Sequence, residues 1–108
     1  GFIQIRKELK DINLSKADSI RIVARGNNEK YYIFLRTTGT FLPWQYYSYE
    51  FDVKNEYNEF IMPIRDFKKS GMLLANQINP KKITSIGIVA YGRDHYAELY
   101  VKELEFLE

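Results

Sequence analysis

Residues 41–51 read Phe-Leu-Pro-Trp-Gln-Tyr-Tyr-Ser-Tyr-Glu-Phe, six aromatics in eleven positions. From Tyr46 onward the run reads as a β-strand, because aromatic side chains fit a pleated, half-buried surface. Alternation then puts Tyr47, Tyr49, Phe51 and Val53 on one face, and Tyr46, Ser48, Glu50 and Asp52 on the other. One face can fill a core while the other offers a polar-aromatic surface. Phe41-Leu42-Pro43-Trp44 falls in the loop before the strand. There Trp44 reads equally as a stacking platform beside the sheet or as a lid folded onto the core.

The same period of two extends outward from this segment. Ser19–Gly26 sets Ile20, Ile22 and Ala24 against Arg21, Val23 and Arg25, and 30–37 sets Tyr31, Ile33 and Leu35 against Tyr32, Phe34 and Arg36. The Gly-Asn-Asn-Glu stretch at 26–29 reads as a tight hairpin, since Gly and Asn tolerate positive φ. That hairpin would lay two arginine-bearing faces side by side. Residues 58–64 form a further strand, with Phe60, Met62 and Ile64 on one face. Pro63 favours an edge or a strand end there, because it cannot donate to a ladder. One helical turn is expected around Asp66-Phe67, and a turn at Asn79-Pro80 within the long connection 72–82. Residues 83–91 read as a strand, 92–95 as a hairpin loop, and 96–106 as a last strand bent near Lys102. A first strand is expected over 2–9. Short strands with turn signals between them describe an all-β chain, a sandwich or jelly roll.

At 108 residues the expectation is one domain with one modest core. A net charge of +2 with scattered Lys and Arg offers no arm for nucleic acid and no block for an anionic membrane. No run approaches the ~20 apolar residues of a bilayer span. There is no cysteine, so disulfides, thiolate metal sites and Cys nucleophiles are excluded. That absence fits cytosol and periplasm equally; the lack of a secretory signal slightly favours the cytosol, and the compartment stays open. His95 is the lone histidine and reads as a solvated loop residue beside Asp94. The pairs Glu50/Asp52 and Glu103/Glu105 each share a strand face, which is ordinary alternation. No acid, base and nucleophile converge, so neither catalysis nor a cofactor or metal is expected.

In chain order, several segments are similar to a known family. They are Gly1-Phe2, Leu14-Ser15 through Asp18-Ser19-Ile20, Arg25-Gly26-Asn27, Tyr31 through Leu35-Arg36-Thr37 and Tyr47 to Phe51. Tyr57 through Met62-Pro63-Ile64-Arg65-Asp66-Phe67, Ile78 through Ile83, and Ser85-Ile86-Gly87 complete the set. On these the chain resembles the complex I intermediate-associated protein family. The resemblance implies a galactose-binding-like jelly roll and, by analogy with the family's eukaryotic members, an assembly role. Tyr57 stands where the family usually has Trp. Family domains also carry strands ahead of the position of Gly1. A sandwich lacking them is expected to expose an edge or a core face, which a second copy or another chain would cover.

The candidate surface collects Arg21, Tyr32, Phe34, Arg36, Trp44, Tyr46, Ser48 and Glu50. Three readings stay open for it: cross-strand pairing that only stabilises the sheet, a protein-binding face, or a carbohydrate site in which rings stack on sugars. A protein partner is the leading functional expectation, with carbohydrate as the alternative.

Overall fold

The computed structural model describes residues 2–8, 13–91 and 98–108. Its strands are β1 (Phe2–Glu8), β2 (Ser19–Gly26), β3 (Lys30–Thr37), β4 (Tyr47–Asp52), β5 (Asn58–Pro63), β6 (Lys68–Lys69), β7 (Ile83–Tyr91) and β8 (Leu99–Leu107). They form two antiparallel sheets, one ordered β1-β7-β3-β4-β6 and the other β5-β2-β8. The chain is a β-sandwich, and the alternation read from the sequence builds its interior. Ile20, Ile22 and Ala24 of β2 and Tyr31, Ile33 and Leu35 of β3 are buried from opposite sheets. Tyr47, Phe51 and Val53 join them, as do Met62, Ile64, Ile83, Ile86 and Ile88.

The expected hairpin at 26–29 is corrected. β2 pairs with β5 and β8, whereas β3 pairs with β4 and β7. The segment therefore crosses from one sheet to the other. Asn28 does take the positive φ of 59°, but the turn docks on residues 53–55: the Val53 N–H donates to Glu29 O (3.0 Å), Gly26 N–H to Lys54 O (2.7 Å) and Asn28 Nδ2 to Asn55 Oδ1 (2.8 Å). Period two tells which side chains share a face; it carries no information on which strand is the neighbour. β7 and β8 likewise lie in different sheets, so they are not paired across 92–95; that loop and His95 lie outside the described residues.

Other boundaries shift slightly. The aromatic strand begins at Tyr47, one residue after Tyr46. The last strand is described from Leu99, and its ladder with β2 slips so that Val23 faces Glu103 and Ala24 faces Val101. Lys102 is the extra residue, a bulge where the bend was expected. Pro63 ends β5, itself an edge strand, and the helical turn after it is 3-10 over Ile64–Asp66. A second 3-10 turn, Pro80–Lys82, is capped by Asn79, whose Oδ1 accepts from Lys81 N–H at 3.3 Å.

Gly26 sits at the sheet crossing because nothing larger fits. A β-carbon there would overlap the Glu98 carbonyl oxygen and come within 2.9 Å of Val53 Cγ1. Tyr31 latches the same corner. Its hydroxyl accepts from Glu98 N–H (3.0 Å) and lies 2.7 Å from Asn27 Oδ1 and 3.1 Å from Glu98 O. Chiefly through burial, the phenol is pushed above its ordinary pKa.

Candidate functional site

The structure splits the candidate residues between two surfaces. Tyr32, Phe34 and Arg36 of β3 and Ser48 and Glu50 of β4 lie on the outer face of the five-stranded sheet, since the ladder sets Tyr32 opposite Glu50 and Phe34 opposite Ser48. Arg21 lies on the outer face of the three-stranded sheet, across the core. The missed crossing at 26–29 accounts for this separation.

Arg21 is engaged where it stands. Its Nε donates to Glu59 (2.6 Å), and its Nη1 is 2.8 Å from Glu103 and 3.2 Å from Glu105. The hydrogen bonds to Glu59 and Glu103 raise its pKa further above an already high ordinary value. The guanidinium thus fills the place between three carboxylates that a cation would otherwise take. Among the described residues, no cluster of His, Cys, Asp and Glu is arranged to hold a metal. Arg25 sits on the same face, its guanidinium carbon 4.2 Å from the Tyr100 ring centroid and 5.5 Å from that of Tyr57.

On the other sheet the rings form a row. Phe34 and Tyr46 stack with centroids 4.0 Å apart and planes inclined by 10°, and Tyr32 meets Phe34 edge-on at 6.4 Å. All three rings are half-buried. The Tyr32 hydroxyl donates to Glu50 Oε1 at 3.2 Å, and Lys30 Nζ is 3.5 Å from the same oxygen. Burial, then the Glu50 contact, raise the Tyr32 pKa. Beside the row lies a shallow depression of about 310 Å³, bordered by Tyr32, Ser48, Glu50, Asp66 and Lys68. Towards β1 the face closes: Ser85 and Val89, which flank Arg36 and Tyr32 in the ladder, are buried. The open part is the β3-β4-β6 half.

Arg36 turns outward as expected, but it does not point at solvent with free donors. Its Nη1 donates to the carbonyls of Pro43 and Gln45, both at 3.1 Å, and its Nη2 to the carbonyl of Thr40 at 3.2 Å. Gln45 Oε1 accepts from the N–H groups of Phe41 (2.8 Å) and Leu42 (3.0 Å). Ser70 anchors the far end, its Oγ donating to Trp44 O at 2.9 Å and accepting from Tyr46 N–H at 3.0 Å. Loop 40–45 is therefore held by a planar cation and two side-chain oxygens. It presents Trp44 at 66% exposure and Phe41 at 82%. Trp44 is not a lid on the core.

Sequence reasoning missed Asp66 and Lys68 at the rim of the depression. Lys68 belongs to a two-residue strand, too short to show any period.

The comparisons with known proteins agree on the architecture. A family model described as complex I intermediate-associated protein 30 matches residues 1–100. No curated protein sequence matches the chain. Two solved structures of a family 11 carbohydrate-binding module from Clostridium thermocellum superpose with a TM-score of 0.79 at 12% identity. One is described as the module of the cellulosomal cellulase Lic26A-Cel5E, the other as a complex with a β-1,3-1,4-mixed-linked tetrasaccharide. Each superposition covers 98% of this chain, and 66% and 68% respectively of the two modules. At that identity the likeness shows the fold alone, a galactose-binding-like jelly roll.

Proposed function

We propose that this chain, which belongs to the complex I intermediate-associated protein 30 family, is a non-catalytic module that binds a protein partner through the open half of its five-stranded sheet. One observation carries the choice of a protein. The groups best suited to read sugar hydroxyls are already committed within the fold, Arg36 to three loop carbonyls and Glu50 to Tyr32 and Lys30. On the same face the rings of Tyr32, Phe34 and Tyr46 line up in one row, and Trp44 stands exposed on the braced loop that precedes β4. Such a surface suits an apolar or aromatic patch, whose burial supplies most of a contact's free energy. The family's description is in keeping with an assembly partner.

Site-specific photo-crosslinking tests the reading. A crosslinker at Ser48 should trap one defined protein, and Phe34→Ser should abolish the adduct. A failure of Phe34→Ser to reduce it would remove the sheet face from the account.

A second reading has its own support, the depression in which Tyr32 and Ser48 stand beside the carboxylates of Glu50 and Asp66. Rings with flanking acceptors also suit a polysaccharide, and one of the similar modules was solved with one. Retardation of the chain in gels containing mixed-linked β-glucan, lost on Tyr32→Ala, would favour it. Unretarded migration would count against it.

A further inference from the structure

The end of the sandwich beyond the ring row carries a second surface. Loop 40–45 exposes Phe41, Leu42 and Trp44; the loop after β6 exposes Met72 at 93% and Leu73 at 94%. The two loops are neighbours. Ser70, one residue before Gly71, ties them through its bonds to Trp44 and Tyr46. Thr38 and Gly39 also face Leu73, Leu74 and Lys82 across one cavity of about 390 Å³. Single exposed apolar side chains are ordinary, but five large ones on adjoining loop tips form a patch that asks for a partner.

The charge of this pole narrows the partner. Its two segments, 36–47 and 67–83, hold five of the chain's sixteen Lys and Arg and none of its fourteen Asp and Glu. Lys81 and Lys82 are exposed on the 3-10 turn that docks against Thr38, whose N–H donates to Lys82 O at 2.9 Å. Acids border these segments without lying in them: Asp66 directly precedes the second and shares the depression with Glu50 and Lys68, and Glu8 of β1 is paired with Ser85, two residues beyond Ile83. Apolar tips with cations around them suit a surface with an anionic skin and an apolar interior. Aromatic and aliphatic side chains gain by entering the headgroup–acyl boundary, and each lysine gains from the negative surface potential. The Arg36 and Gln45 braces keep the tips ordered before contact, which lowers the entropic cost of docking.

We infer that this pole docks on anionic phospholipid bilayers, with Phe41, Trp44, Met72 and Leu73 entering the interface and Lys81 and Lys82 resting on the headgroups. This surface is distinct from the sheet face, apart from Trp44 at their junction. The chain could carry its protein-binding face to a membrane.

Trp44 is the chain's one tryptophan, so its fluorescence reports the contact without a label. Phosphatidylcholine vesicles with and without phosphatidylglycerol are the probes. The anionic vesicles should sediment the chain, blue-shift Trp44 and let brominated acyl chains quench it; pure phosphatidylcholine should do none of these. Met72→Ser with Leu73→Ser, at positions too exposed to matter for folding, should lower the partition coefficient roughly tenfold or more. Lys81→Glu with Lys82→Glu should do the same. Binding without a Trp44 shift or quenching would overturn insertion. So would equal binding of an acidic polymer such as polyglutamate that the apolar variants leave unchanged, which would point to an acidic protein instead. Absence of sedimentation would overturn the inference outright. The Met72/Leu73 variant should leave crosslinking from Ser48 intact, so the two surfaces fail or succeed separately.

Discussion

Replacing Arg36 by Met keeps most of the aliphatic stem and removes the guanidinium. Three carbonyls, those of Thr40, Pro43 and Gln45, then lose their donor, at distances of 3.1–3.2 Å in the intact protein. A net hydrogen bond contributes about 0.5–1.5 kcal/mol, and more when the donor is charged. The loop is partly exposed, and water can reach some of the freed carbonyls, so the lower half of that range applies. Three bonds then amount to about 1.5–3 kcal/mol. Arg36→Lys should recover about a third of it, because an ammonium lacks the planar fork that reaches several acceptors together. Urea unfolding followed by circular dichroism measures the loss, with the slope unchanged. Trp44 lies between two of the carbonyl acceptors, so its anisotropy should fall and its quenching by acrylamide rise. A loss below about 0.5 kcal/mol with unaltered Trp44 anisotropy would refute the idea that Arg36 braces the loop. It would return Arg36 to the list of ligand-reading groups.

Gly26→Ala should cost about 2–3 kcal/mol, measured by the same unfolding curves, because the Glu98 carbonyl is backbone and cannot swing aside; a neutral effect would mean that the crossing at 26–29 adjusts freely. Tyr31, Tyr32 and Tyr47 hold their protons above the ordinary value, Tyr47 through burial alone. The unfolded chain releases these protons near pH ~10, so their contribution is complete below that pH and is lost as pH rises through the folded values. Phenolate absorbance should show these three titrating late; simultaneous titration of all nine tyrosines would contradict the assigned burial. β8 is an edge strand whose inward-turned Val101 and Leu104 stay 40% exposed. A second copy covering that edge predicts a concentration-dependent dimer by light scattering, dispersed by Leu104→Lys, and a monomer at every concentration would exclude it.

Much of the sandwich was legible in the residues, for a physical reason. A strand half-buried in a two-layer fold must alternate, and Ile20-Ile22-Ala24, Tyr31-Ile33-Leu35 and Tyr47-Phe51-Val53 all do. Bends were legible where a residue type forbids pairing, as at Pro63, or favours a cap, as at Asn79. Sheet membership was not, because the local pattern of β2 and β3 would look the same in a hairpin and in a jelly-roll crossing. That one ambiguity moved Arg21 to the far side of the core. The outward direction of Arg36 was legible, while its occupation was not. Its acceptors are backbone carbonyls in loop 40–45, and any residue sequence offers carbonyls. The apolar pole escaped for a related reason: Phe41 and Trp44 are about thirty residues from Met72 and Leu73, and the pairing of the two-residue β6 with β4, together with Ser70, brings them together.

The account rests on the ring row of the five-stranded sheet being the face that meets the partner. The most direct measurement places a photo-crosslinker in turn at Phe34 and Ser48, and at Val23 and Glu103 on the opposite sheet, in the native host. One defined protein adduct from Phe34 and Ser48, with none from Val23 and Glu103, is the predicted result. The same adduct from the opposite sheet, or from that sheet alone, would contradict it.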